Sequence, residues 1–368
     1  MAHHEPHPMD SVELSLITCS PHEEIYSLYG HTALRYHNLK TGQDLAFNWG
    51  VFNYRAPYFV LRFIFGLTDY ELGVYPYHLF LKEYKHWGCQ VTEQLLNLTN
   101  EEKTGIVEAL AQNDLPENRV YRYNFFYDNC STRPMNIITN HITDAKIIRV
   151  ERPEFSPTWR EMIHEKTRNH PWATFGNDLL LGIKADTKPT QIEQEFLPEV
   201  LLYDFDRITI YKNGTYRPLV KETRIAVKPG VQIIEQDFPF TPWECAVALF
   251  CFSLLIFLFE WERRKTLIAY DIFLMLPCGI IGTLLFLMLF SQHPTTSTNL
   301  QIFLFNPLPL FFIFSIVKRK HTVYWKISAI LLLLFFLGGI FQDYAEGLYI
   351  VALSLLTRII SHFRNDEK

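Results

Sequence analysis

Apolar and polar positions divide the chain into two regimes. Up to about Asp237 they interleave as in a globular domain, and beyond Thr241 long apolar runs alternate with short polar breaks. In the first region Val12 to Cys19 (VELSLITC), Thr32 to Tyr36 and Leu45 to Trp49 are short and rich in β-branched or aromatic residues, and they predict strands. The turn Thr41-Gly42-Gln43 suits a hairpin between the last two. Glu101 to Gln112 carries a helical period, with Asn100 as its predicted cap. Met135, Ile137, Ile138 and Ile142 predict a helix just after Asp128-Asn129-Cys130-Ser131-Thr132, with Asp128 or Asn129 as cap. Ile208 to Tyr211 and Tyr216 to Val220 flank Asn213-Gly214 and predict another hairpin. The Pro- and charge-rich segments beyond Ile147 read as helices and loops that cover the core and lead to the membrane.

In the second region the apolar runs are Pro242 to Trp261, Leu267 to Phe290, Leu300 to Val317, Val323 to Phe341 and Ala345 to Ile360. Each is near the roughly 20 residues that a helix needs to cross about 30 Å of hydrocarbon. About five transmembrane helices are therefore expected, the third and fifth short enough to be tilted or re-entrant, with kinks at Pro277, Pro307 and Pro309. Basic residues cluster at Arg263-Arg264-Lys265, at Lys318-Arg319-Lys320 and at Arg358, Arg364 and Lys368. The breaks Ser291 to Asn299 and Gln342 to Tyr344 contain no Lys or Arg, so they are assigned to the outer side together with the N-terminal domain. An outward domain requires a translocation signal, and the His-rich start Met1 to Pro8, set aside from the fold, does not read as one.

The net charge of −5, with no dense Lys/Arg block in the first region, points away from nucleic acid. No HExxH or paired CxxC spacing occurs, which disfavours a zinc enzyme. Of six cysteines, Cys245, Cys251 and Cys278 fall in apolar runs and are expected to pack there. Cys19, Cys89 and Cys130 lie in the outward domain, where one disulfide is possible and one thiol is left over. Cys130 is the candidate free thiol, because it sits at a predicted helix start where orphan N–H groups favour a thiolate. A buried structural cysteine is the competing reading. His31, at the opening of a strand, is the candidate base for a papain-type Cys/His pair.

Several blocks carry a resemblance. Leu16 to Pro21, Tyr29 to Arg35, Phe47-Asn48-Trp49-Gly50, Gly66 to Tyr70, Pro116 to Arg119 and above all Phe125 to Arg133 (FFYDNCSTR) follow one another in a known order. They resemble a periplasmic Cys/His domain, formerly of unknown function, fused to membrane helices. That family includes a cysteine-dependent bacterial lipoprotein N-acyltransferase. The likeness extends over nearly the whole chain, through Ser291 to Pro294 and Asn306 to Leu308, and Trp49 stands where a Tyr is expected. It implies an α+β fold: a circularly permuted papain-like (NlpC/P60-like) domain over 9–237, then an all-α transmembrane bundle over 241–361.

The resemblance implies Cys130 as nucleophile and His31 as base. Asn48 is the choice for orienting the imidazole, with Asp44 and His37 as rivals. Tyr29, Asp128, Asn129, Arg133 and the loop residue His293 are candidates for substrate contact or for the entrance. The implied reaction carries an acyl chain from a phospholipid, through a Cys thioester, to the α-amine of a diacylated lipoprotein. It runs without cofactor or metal, at the bacterial inner membrane with the catalytic domain in the periplasm. The aromatic segment Val51 to Phe65 suits acyl contact at a bilayer surface, or else is an ordinary strand or core helix. The alternatives are a membrane-anchored papain-like amidase or peptidase acting on cell-wall peptide or exported protein, and a binding protein in which Cys130 is structural.

Overall fold

The computed structural model describes residues 7–53, 55, 57–152, 156–232, 238–318 and 323–366. Residues 1–6 of the His-rich start, Tyr54 and Ala56 of the aromatic segment, Asp237, Arg319, Lys320 and Lys368 lie outside the described residues. The chain divides into a sheet-rich unit, 1–62 with 67–156 and 189–235, and a helical unit, 63–66 with 157–188 and 236–368. The last cut, between 235 and 236, lies beside the sequence boundary near 237, and the departure from that boundary is elsewhere. The segment 157–188 groups with the helical unit.

Among the described residues the sheet-rich unit holds ten strands: β1 (Val12–Cys19), β2 (His31–Asn38), β3 (Gln43–Val51), β4 (Asp69–Pro76), β5 (Val91–Leu96), β6 (Val120–Arg122), β7 (Lys146–Ile148), β8 (Thr209–Lys212), β9 (Thr215–Pro218) and β10 (Val220–Val227). Seven form one antiparallel sheet in the order β10-β5-β1-β2-β3-β4-β6, and β7-β8-β9 form a second. The hairpin β8–β9 turns at Asn213-Gly214, both at positive φ, as an Asn-Gly turn demands. Its second strand ends at Pro218, and the residues from Val220 onward form the edge strand β10 instead.

Side chains alternate across a strand, so a sheet with both faces covered needs apolar residues at odd and even positions alike. β1 meets that requirement, which is why nearly all of it is buried. Leu14, Leu16, Leu34, Phe47 and Trp49 pack with α3 (Asn100–Asn113), α4 (Thr132–Asn140) and α7 (Pro198–Phe205), through residues such as Ile106, Ile138 and Leu201. Ile17, Cys19, Ala33 and Ala46 pack on the other face with Tyr77, Phe80 and Tyr84 of α2 (Tyr77–His86). The helix expected over Glu101 to Gln112 is α3, but its cap is Thr99 and not Asn100. Thr99 accepts from the Glu102 N–H while Glu102 returns a bond to the Thr99 N–H, which satisfies two orphan donors at once. In the segment Val51 to Phe65 only Val51 stays in the sheet, and Phe59–Ile64 form the short helix α1.

The helical unit contains α5 (Trp159–Thr167), α6 (Pro171–Leu180), α8 (Pro242–Arg263), α9 (Ile268–Met288), α10 (Leu308–Val317), α11 (Tyr324–Gly338) and α12 (Leu348–Asp366). Among the described residues three stretches are long and apolar enough to cross a membrane: α8, α9 and Leu300–Val317. α11 is shorter. Pro277 lies inside α9, whereas Pro307 caps α10 and Pro309 sits in its first turn, where a missing N–H costs nothing. Arg358, counted with Arg364 and Lys368 as a basic cluster marking the inner side, is not in a loop. It lies inside α12, which continues to Asp366, and is wholly buried. Of the thiols expected to pack in the spans, Cys278 is buried, Cys245 is half-buried and Cys251 is exposed.

The segment 157–188 is held in the helical unit by buried polar groups. Arg160 bonds Asp178 at 2.7 Å and Asp186 at 2.6 Å. Gln301 donates to the Asp178 carbonyl at 2.8 Å, and Gln342 to the Leu181 carbonyl at 3.1 Å.

Candidate active site

Adjacent residues of a strand face opposite sides of the sheet, and the start of β2 uses both. His31, paired in register with Cys19, stands on the α2 side, its ring parallel to that of Tyr84 at 6.2 Å. Thr32 stands on the other side, where its hydroxyl meets the Ser131 hydroxyl at 2.9 Å. The end of β2 thus touches both the α2 layer and the start of α4, and Cys130 lies just before that helix. Gly50 stands beside the meeting at φ +102°, a conformation L side chains rarely adopt, while a Cβ there would make only ordinary contact with the His31 ring at 4.0 Å and the Cys130 Cβ at 3.9 Å.

The turn that carries Cys130 is over-determined. Asn124 and Asp128 exchange backbone bonds at 3.0 and 2.9 Å. The Asn129 amide donates to the carbonyls of Phe125 and Phe196, and its oxygen accepts from the N–H groups of Ser131 and Thr132 at 2.8 and 2.9 Å. The N-cap residue of α4 is Ser131, not Asp128 or Asn129, and Asn129 supports the turn from outside the helix through the N–H groups of Ser131 and Thr132. Asp128 forms a two-pronged ion pair with Arg133 at 2.7 and 2.8 Å, and the guanidinium lies 3.4 Å from the Tyr121 ring centre.

His31 Nε2 donates to the Asn48 side-chain oxygen at 2.5 Å, and the Cys130 thiol is the other polar group that acts on the ring. Asp44 is engaged with Arg35 at 2.7 Å, and His37 lies 3.7 Å from Glu13, so neither rival of Asn48 is bonded to the imidazole. Burial alone pushes the Cys130 thiol up and the His31 imidazolium down. Their mutual attraction and hydrogen bonding override it. The Thr32 N–H and the Ser131 hydroxyl add to the effect on the thiol, and Asn48 adds to that on the ring. Cys130 ends below its ordinary value and His31 above, the signature of a thiolate–imidazolium pair. Cys19 and Cys89 are buried free thiols, and burial pushes both up. Neither shares the activation of Cys130.

Two cavities meet at the pair. One of about 220 Å³ is lined by His31 and Asn48 together with His22 and Trp87. The other, about 140 Å³, is lined by His31 and Cys130 together with Tyr29, Tyr123, Phe125 and Asn129. Of the candidates drawn from the sequence, the structure brings together Cys130, His31, Asn48, Tyr29 and Asn129. Asp128 and Arg133 bond each other and line neither cavity. His293 belongs to the helical unit, where its Nε2 lies 3.2 Å from the Phe63 carbonyl. Thr32, Ser131, Gly50, Tyr84 and Trp87 were not singled out from the sequence. Thr32, Ser131 and Gly50 left a signal there, as members of the blocks Tyr29 to Arg35, Phe125 to Arg133 and Phe47 to Gly50. Among the described residues no cluster of three or more His, Cys, Asp or Glu is placed to hold a metal ion.

Two family models match the chain: the Lnb N-terminal periplasmic domain over residues 3–165 and the Lnb transmembrane domain over residues 233–368. No curated protein and no solved structure matches it.

Proposed function

The chain belongs to the Lnb family, a membrane protein with a periplasmic domain, and from that footing we propose that it is a thiol-dependent lipoprotein N-acyltransferase of the bacterial inner membrane. The observation that carries the reading is the lowered Cys130 thiol against His31, itself held by Asn48, where two cavities meet. The order of the parts, with a His strand ahead of a Cys helix, supports a circularly permuted papain-like fold for the sheet-rich unit. The helical unit is read as about five membrane-spanning helices.

The Cys130 thiolate attacks the ester carbonyl of a phospholipid. Asn129 occupies the N–H groups of Ser131 and Thr132, so the Cys130 N–H is the donor left to face the oxyanion. The carbon–oxygen bond breaks, and the departing alkoxide takes the proton that His31 holds, giving a lysophospholipid and a thioester on Cys130. An incoming α-amine, whose ordinary pKa is about 7.7–8.0, is partly neutral near neutral pH. It attacks the thioester and gives its proton to His31, and the thiolate leaves as an amide forms. Ester to thioester to amide runs downhill overall, so the chemistry needs neither nucleotide nor metal. A membrane-anchored enzyme also meets two lipid-anchored substrates at high effective concentration.

The test is the mass of a lipoprotein N-terminus made in cells with this protein, without it, and with its Cys130→Ala variant. N-acylation restricted to the unsubstituted protein is the expected result. Hydrolysis of an amide with no acyl product on the lipoprotein would favour the amidase alternative. Normal acylation by Cys130→Ala would remove the thioester from the mechanism.

A further inference from the structure

We infer that the two cavities divide the reaction by substrate part. The Cys130-side cavity holds the start of the acyl chain through both half-reactions. The His31–Asn48-side cavity receives first the departing lipid alcohol and then the acceptor amine. This deepens the acyltransferase reading and rests on it.

The division follows from which atoms border which space. Cys130 lines only the smaller cavity, and Asn48 only the larger, while the His31 ring lines both. An acyl group on the Cys130 sulfur therefore extends into the smaller cavity. There it meets Tyr29 and Phe125, whose rings make an edge contact at 4.8 Å. The proton traffic runs through His31, outward to the alkoxide in the first half-reaction and inward from the amine in the second. Both groups must reach the ring nitrogen that Asn48 does not hold, next to the sulfur, and enter from the side the acyl chain does not occupy. That side is the larger cavity, walled by Trp87 stacked on His22 at 4.7 Å and bordered by Ser20 and Ser27. One site serves two ligands in turn, so the alcohol product and the amine acceptor exclude each other.

The full-length protein in mixed micelles provides the test. The donors are diacyl phosphatidylethanolamines that differ only in chain length, and the acceptor is an S-alkylated cysteinyl peptide with a free α-amine. In the unsubstituted protein, lysophosphatidylethanolamine should inhibit competitively against the amine. Phe125→Ala should change the ranking of chain lengths among the Cys130 thioesters roughly tenfold while leaving the KM for the amine within about twofold. Tyr29→Ala supplies the same readout should Phe125→Ala fold poorly. Trp87→Ala should raise the KM for the amine roughly tenfold and leave the chain ranking as it was. Inhibition that is not competitive, or a chain ranking reordered by Trp87→Ala, overturns the division. So does an amine KM raised by Phe125→Ala or Tyr29→Ala with the ranking unchanged. The absence of any thioester on Cys130 in the unsubstituted protein overturns the acyltransferase reading beneath it, a result distinct from the others.

Discussion

Each unit contains a buried charged cluster, and the two differ in what they leave unsatisfied. In the helical unit Arg358, wholly buried, bonds Glu260 at 2.6 and 2.9 Å and Asp271 at 2.9 Å. Ser361 adds a bond to Glu260 and His362 one to Asp271, with the His362 ring stacked on Trp325 at 4.1 Å. One guanidinium serves both carboxylates there, with Ser361 and His362 adding hydrogen bonds, and Glu260, Asp271 and Arg358 are all sealed from solvent. In the sheet-rich unit Cys130 and His31 are only half-buried and border open space. Their charges depend on each other, because either alone would be pushed toward neutrality by burial. The first cluster ties α8, α9 and α12 together and has no face left for a ligand. The second is a charge pair with a vacancy beside it, and that vacancy is what separates a reactive site from a structural one.

The largest expected effect falls on the open cluster. Cys130→Ala should abolish acyl transfer with expression and thermal stability nearly unchanged. His31→Ala should cost roughly 10²–10⁴-fold, and the double variant should be no worse than Cys130→Ala, because nucleophile and base act as a unit. Single-turnover acylation and a melting curve measure both.

The closed cluster should answer in the opposite currency. Arg358→Met leaves two carboxylates buried without a counter-charge and should destabilise the helical unit by about 3–5 kcal/mol, read by thermal unfolding in detergent. Adding Glu260→Gln and Asp271→Asn should restore most of the loss. If the triple variant stays as unstable as Arg358→Met, the cluster is more than a satisfied ion group and the contrast fails.

Asn48→Ala removes one hydrogen bond to a charged ring, worth about 1.5–3 kcal/mol. Turnover should fall roughly 10–100-fold with folding intact, at 1.4 kcal/mol per decade. The pH profile is finer still. Thiolate reactivity rises with pH through the Cys130 pKa, which lies below its ordinary 9.0 because the His31 cation outweighs burial with the help of hydrogen bonds. In His31→Ala that cation is gone while most of the burial remains, so the half-point of iodoacetamide alkylation should move to higher pH. An unmoved half-point would mean that the pair is not coupled. Smallest of all, Cys19→Ser and Cys89→Ser should keep turnover within about twofold and lose only about 1–3 kcal/mol of stability, the cost of a hydroxyl in an apolar layer.

The sequence by itself determined the strands around the site, the helix after Cys130 and the amphipathic logic of the sheet, since strand and helix periods are local properties of side-chain order. β1 spans the residues that the pattern predicted, and β2 and β3 contain theirs with a few added at each end. The apolar runs beyond Thr241 were equally legible, because a span is declared by length and composition alone. Tertiary structure decided the rest. That Thr32 meets Ser131 across 99 positions and that Gly50 lies beside both His31 and Cys130 are results of tertiary packing. Arg358 looked like a loop cation because no local rule distinguishes it from Arg364; only the approach of Glu260 and Asp271 from two other helices makes its burial affordable. Asp128 and Arg133 looked like substrate contacts for the same reason, and their mutual ion pair became visible only once the turn was folded. Periodicity is written along the chain, whereas the partner of a charged group is fixed by packing between distant segments.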